Sequence, residues 1–172
     1  MSEGERVEKM ISDWLERNYP DGPTWYDRDR ANQQIPPAIE IRMMPAFVRV
    51  EYNISNGGWA QFLWNCFPHW RAIIADAKEG YHLIGAAQQS AALDILYGLC
   101  ERDEKECAET IEKSMKDRLS RWGSYFSAFT SRSYLASAND WEDLFWDKAL
   151  PEKRLAWLAA NEARVRAALG SG

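Results

Sequence analysis

Histidine is nearly missing from this sequence, with two in 172 residues, and that scarcity removes most metal-site and acid–base chemistry at the outset. Glu79-Gly-Tyr-His82 has the Glu-x-x-His spacing of carboxylate-bridged di-iron bundles, but such a site needs a second copy from another helix. The other histidine, His69, has Cys66 three places before it. Cys66-Phe-Pro-His69 is half of a zinc-site spacing, and Cys100 and Cys107, seven apart, offer no matching half. Glu79 and His82 read as a helix end and Cys66 as a buried thiol, so no metal and no cofactor is expected. Three cysteines suit free thiols in a reducing compartment better than a disulfide framework. The Gly-x-Ser-x-Gly elbow, the phosphate loop ending in Gly-Lys-Ser/Thr and the Gly-x-Gly-x-x-Gly fingerprint are all absent. Long apolar runs are missing too. The best, Leu83 to Cys100, is broken by Gln88, Gln89 and Asp94, so nothing matches the roughly 18–20 apolar residues of a membrane span. The start, Met1-Ser-Glu-Gly-Glu-Arg, is too polar for a secretory signal. The reading is a cytoplasmic protein with no membrane partner.

Basic residues are the minority charge: 21 Lys and Arg against 26 Asp and Glu, a net −5. That balance argues against a phosphate-binding surface and direct nucleic-acid contact, while it permits a basic protein partner. What is plentiful is tryptophan, nine of them. Most must be core, because burying one such ring is worth roughly 1.5–3 kcal/mol or more. The length suits one domain over residues 1–172, an N-terminal helix at 1–18, a long loop at 19–37 and a helical core at 38–170.

Ser2 and Glu5 have capping-box spacing, and Val7, Met10, Ile11, Trp14 and Leu15 follow at helical period. Four prolines then mark the 19–37 loop, whose middle Trp25 and Tyr26 are expected to pin. Pro45 suits the first turn of a helix running to about Ser55, with Phe47, Val48, Val50 and Ile54 inward. Asn56-Gly57-Gly58 is expected to stop it by a left-handed cap. A short helix restarts with Trp59, Phe62, Leu63 and Cys66 inward and Gln61 and Asn65 as an i, i+4 amide pair. Pro68 opens the next, ending near Gly80, and Gly85 marks a further break. Ala87, Ala91, Ala92, Ile95 and Leu96 describe a buried helix of small residues, followed over 101–118 by a helix of alternating charge. Trp122, Tyr125, Phe126 and Phe129 form another stripe. Ser137-Ala-Asn-Asp caps a helix with Trp141, Leu144 and Phe145, and Pro151 starts the last one, with Leu155, Leu158 and Val165 inward. No period-2 run of useful length occurs. The fold class is all-α, one compact domain of about seven or eight helices.

Residues 51–65 read Glu-Tyr-Asn-Ile-Ser-Asn-Gly-Gly-Trp-Ala-Gln-Phe-Leu-Trp-Asn. This segment resembles the signature of a bacterial family of helical domains named after a neisserial DNA-mimic protein. That signature is Glu, then Asn-Gly-Gly-aromatic, then Gln-Phe-aromatic-x-Asn. Leu83-Ile84-Gly85-Ala86 is similar to its Ile-Gly-Ala element, and Glu142-Asp-Leu-Phe145-Trp146 to its acidic–aromatic stretch, so the likeness spans roughly residues 40–168. Trp59 and Leu63 stand where the family usually has Phe. The resemblance implies an all-α fold, a homodimer and a non-enzymatic role. In the named member, acidic side chains imitate DNA phosphates and occupy a DNA-binding protein.

Glu51, Asn56, Gly57, Gly58, Trp59, Gln61, Phe62 and Asn65 read as makers of the fold: turn, cap and core. Glu51 lies on the face of Phe47 and is read as accepting hydrogen bonds from amides around the glycine turn. The alternative is an uncharacterised small-molecule enzyme using Glu51, Gln61 and Asn65, which a deep cleft beside them would favour. Two acidic stretches are candidate partner surfaces. Asp103, Glu106, Glu109 and Glu112 recur every three residues, about 5–6 Å apart on a helix, with Arg102, Lys105, Lys113 and Lys116 interleaved. Asp140, Glu142, Asp143 and Asp147 have only Lys148 close by. The expected function is occupation of a basic, nucleic-acid-binding protein. An immunity or antitoxin-like inhibitor of a toxin is the other binding role considered.

Overall fold

The computed structural model describes residues 1–26, 36–117, 122–135 and 145–170. Every regular element among them is helical: α1 (Glu3–Asn18), a 3-10 turn (Thr24–Tyr26), α2 (Ile39–Cys66), α3 (Trp70–Leu83), α4 (Ala87–Lys116), α5 (Trp122–Thr130), α6 (Arg132–Leu135), α7 (Leu150–Ala160) and α8 (Glu162–Gly170). One buried apolar cluster runs from Val7 to Val165, with α2 and α3 at its centre.

The capping box of α1 forms as the spacing predicts. The Glu5 N–H donates to Ser2 Oγ at 3.3 Å, and the Ser2 N–H returns to Glu5 Oε2 at 2.5 Å. Val7 and Ile11 are the fully buried residues of its stripe. Trp25 and Tyr26 are buried as anchors, the Tyr26 hydroxyl donating to Asp76 Oδ2 at 2.8 Å. Asp76 also takes the Arg42 guanidinium at 3.1 Å, so one buried carboxylate ties the turn to α2 and α3. Residues 27–35 of the expected loop lie outside the described residues.

Pro45 does not open its helix. α2 starts at Ile39 and carries Pro45 in its interior, while Val48, expected inward, is 62% exposed. The stripe of Phe47, Val50 and Ile54 is buried as expected. The Asn-Gly-Gly segment is an elbow and not a stop. Gly57 is extended (φ −173°), and the left-handed residue is Gly58 (φ 69°, ψ −161°). The bend folds the second arm back, so that Asn65 Nδ2 donates to Asn53 Oδ1 at 2.7 Å. In a straight helix those residues would lie about 18 Å apart along the axis. The expected Gln61–Asn65 pair is thus replaced by an Asn53–Asn65 bridge. The Ala60 N–H, near the start of the second arm, donates to Ser133 Oγ of α6 at 2.8 Å.

Gly58 sits in backbone space that only glycine enters freely, so Gly58→Ala should cost about 1–3 kcal/mol. A Cβ on Gly57 instead meets the half-buried side chain of Gln61, which can rotate aside. Thermal melting should therefore rank Gly58→Ala as the more harmful. The reverse ranking would mean that side-chain crowding, not φ, fixes the elbow.

Gly80 does not end α3, which runs on to Leu83. It is needed for packing: a Cβ there would stand 2.6 Å from Met43 Cβ and 2.7 Å from Phe47 Cζ. The break falls at Gly85 (φ 73°). The two helices expected after it are one, α4, and its phase differs from the small-residue reading. Ala87, Ala91 and Ile95 face solvent, and the buried seam is Gln89, Ala92, Leu93, Leu96, Cys100, Cys107 and Ser114. Leu158 and Val165 are buried as expected, but the final helix is divided at Asn161 into α7 and α8.

Candidate partner-binding surface

Glu51 leaves α2 half-buried, and its partners are not the turn amides. The Tyr81 hydroxyl of α3 donates to Glu51 Oε1 at 3.1 Å, and Arg154 Nη1 of α7 approaches Glu51 Oε2 at 3.4 Å. Arg154 Nε stands 3.1 Å from Glu8 Oε1 of α1. One guanidinium therefore bridges two carboxylates and binds α1, α2, α3 and α7 into one unit. Burial raises the Glu51 carboxyl above its ordinary value, and Arg154 and Tyr81 oppose that rise. The remaining signature residues serve the elbow. Asn56 Nδ2 donates to Tyr52 O at 2.7 Å, Trp59 and Phe62 are fully buried, and Arg102 lies over the Trp59 ring at 5.2 Å. Glu51 and Asn65 turn to separate partners, and neither they nor Gln61 line the cavity of about 670 Å³ between α1 and α2.

Glu51 holds its proton more tightly in the fold than in the unfolded chain, whose carboxyl titrates near 4.5. Its contribution to stability is therefore full below that pH and is lost as pH rises through the raised folded value. Raising pH from about 4 to about 7 should shift the melting-temperature difference between wild type and Glu51→Gln toward the variant. A difference that does not change with pH would show that Glu51 ionises freely in the fold.

Of the two acidic stretches, Asp140, Glu142 and Asp143 lie outside the described residues. Asp147 is described, and it works locally: its carboxylate accepts the Ala149 N–H at 2.9 Å and pairs with Lys153 at 2.8 Å. Those two contacts hold its carboxyl below the ordinary range. On α4 the buried seam turns the acidic file outward. Glu106, Glu109 and Glu112 are exposed, while Asp103 is mostly covered. Cations meet most of them. Arg102 pairs with Asp103 at 2.8 Å, Arg132 with Glu106, and Lys116 with Glu112 at 2.6 Å. Glu104, which the sequence reading passed over, accepts from Arg71 Nη2 at 2.8 Å and from Trp70 Nε1 at 3.2 Å.

A family model described as DMP19-like protein matches residues 33–161. The chain belongs to the DMP19-like family. No curated protein and no solved structure matched it.

In this DMP19-like chain the signature segment and its partners come from distant parts of the sequence. Tyr81, Arg154, Asn53 and Ser133 were not legible as site residues. Arg154 had one available signal, a cation among the inward positions of a helix that also presents Leu158. The thiols are poor nucleophiles: burial pushes Cys66 and Cys107 up to about 12 and Cys100 well above its ordinary value. His82 is exposed, and no group of three His, Cys, Asp or Glu side chains among the described residues is placed to hold a metal ion. No described helix is long and apolar enough to cross a membrane.

Proposed function

We propose that this chain is a non-catalytic binding domain whose acidic surface occupies the nucleic-acid site of a basic, DNA-binding protein. The observation that carries the reading is membership of the DMP19-like family over residues 33–161. The outward file of Glu106, Glu109 and Glu112 supports it, because carboxylates one helical turn apart offer a repeated negative charge to a Lys- and Arg-rich groove. Of the three residues on which a catalytic reading rested, Glu51 is engaged by Tyr81 and Arg154 and Asn65 by Asn53. Action in the cytoplasm as a homodimer belongs to the same proposal.

The test is competition. A partner captured from native cytoplasm and purified should bind this chain or duplex DNA, never both, so that added duplex releases the chain in proportion to its concentration. A partner that holds DNA and this chain in one ternary complex would remove the mimic role.

A further inference from the structure

Among the described helices, α1 makes its extended packing on α7 and α8, while α2 makes its own mainly on α3. The seam between α1 and α7 is close: a Cβ on Gly4 would stand 2.9 Å from Leu155 Cα. Val7 and Ile11 of α1, Leu158 of α7 and Val165 of α8 are all fully buried. Arg6 of α1 donates to both carboxylate oxygens of Glu162 at the start of α8, at 2.9 and 2.6 Å, across 156 residues of sequence. This three-helix layer is tied more thinly to the rest. A furrow of about 670 Å³ separates α1 from the first arm of α2. Of the three helices, α8 alone packs extensively on α2, and there Arg164 pairs with the buried Glu40. The other tie is Arg154 of α7, which reaches Glu51 of α2 while it holds Glu8 of α1. Outside the layer the chain is pinned to α3 at two points. Tyr26 bonds Asp76, and the Phe145 ring stands edge-on to Tyr81 with centroids 5.7 Å apart.

We propose that α1, α7 and α8 form a strap that opens from the α2–α3–α4 body as one unit while the body stays folded, with Arg154 as its latch. Opening follows packing: helices bound more extensively to one another than to their surroundings detach together, before the whole domain unfolds. The pins at Tyr26 and Phe145 stay with α3 and set the limits of the moving unit. Arg154 fits the latch role because its worth depends on closure. In the closed strap Glu51 and Glu8 lie on the same guanidinium, partly withdrawn from water. Without that cation two carboxylates would face one poorly solvated space. In the open strap water reaches both, and neither needs Arg154. Loss of Arg154 therefore penalises the closed state and leaves the open one nearly unchanged. The consequence is control of access. Opening frees Glu40 and Glu51 of α2 from their cations and bares the apolar face of α1 that carries Val7 and Ile11. None of this involves the α4 acidic file, so the proposal does not depend on the mimic reading.

Native-state hydrogen exchange of the full-length protein, followed at low denaturant concentrations, tests the strap. The expected result is one shared opening for the amides of α1, α7 and α8, less protected than those of α3. Arg154→Met should quicken exchange in all three helices together by about tenfold or more. The α3 amides should follow by the same factor, because they open from the same closed state. Ile73→Val, at a fully buried position of α3, should instead quicken α3 by about threefold or more and leave the strap unchanged, since it weakens the closed and open forms alike. If Arg154→Met does not fold, Arg164→Gln takes its place. It removes the Glu40 tie of α8 and should quicken α1 as much as α8. An α1 that exchanges apart from α7 and α8, or a strap no less protected than α3, would overturn the proposal. So would Ile73→Val quickening the strap as much as α3, or an arginine variant that leaves the strap as slow as in wild type.

Discussion

Phe47→Ala should lose about 3–5 kcal/mol of folding stability, the largest effect expected of a single substitution here. Phe47 is fully buried, its ring stacks on Tyr81 with centroids 4.3 Å apart, and it fills the space that Gly80 leaves open. Its removal opens a cavity at the α2–α3 crossing and unseats the tyrosine whose hydroxyl holds Glu51. Domains of this kind hold only about 5–15 kcal/mol in total, so denaturant titration should find a variant close to unfolding. Gly80→Ala alone should cost about 1–3 kcal/mol through overpacking. In the Phe47→Ala background it should cost less, because one of the two groups that its methyl meets has gone. Strict additivity in that cycle would mean that the two positions do not share one packing site.

The second large effect belongs to binding. Asp140→Asn, Glu142→Gln and Asp143→Asn together remove three negative charges with little change of shape. If that stretch faces the partner, association at low salt should slow by roughly ten- to a thousandfold, and the difference should shrink as salt rises. Asp147 is best left intact, because it bonds the Ala149 N–H and Lys153. The amide series at Asp103, Glu106, Glu109 and Glu112 is the comparison. Arg102, Arg132 and Lys116 already pair with three of those four, so this series should matter less. Should the triple variant bind its partner like wild type at both salt concentrations, the stretch is not the mimic surface. If the α4 series is silent as well, the mimic reading fails for this chain.

Periodicity carried the sequence reading wherever one face of a helix meets one core. The capping box, Val7 and Ile11, and Phe47 with Val50 and Ile54 all followed from spacing. It failed where a residue's role is set by a neighbour far away in the chain. Pro45 suits a first turn locally, but residues from Ile39 onward are already held in the helix by burial and by the Arg42–Asp76 pair. Gly80 has the look of a helix stop because the close approach of Met43 and Phe47 cannot be seen from its own surroundings. On α4, alanines are neutral to burial, so Ala87 and Ala91 gave the wrong phase, whereas Leu93, Leu96 and Cys100 mark the buried side. Glu51 was placed correctly on the face of Phe47, but Tyr81 and Arg154 are 30 and 103 residues away from it, and no local pattern points to them.

The elbow of α2 bears on how fast the chain can organise itself. Asn53 and Asn65 meet across a loop of only twelve residues, and closing so short a loop costs little chain entropy. Contacts this local form ahead of distant ones, so the α2 hairpin is a natural nucleus onto which α3, next in sequence, can condense. Substitutions at the elbow would then register in the folding rate, while loss of the Arg154 bridge, which closes over a hundred residues, would register mainly in the rate of unfolding.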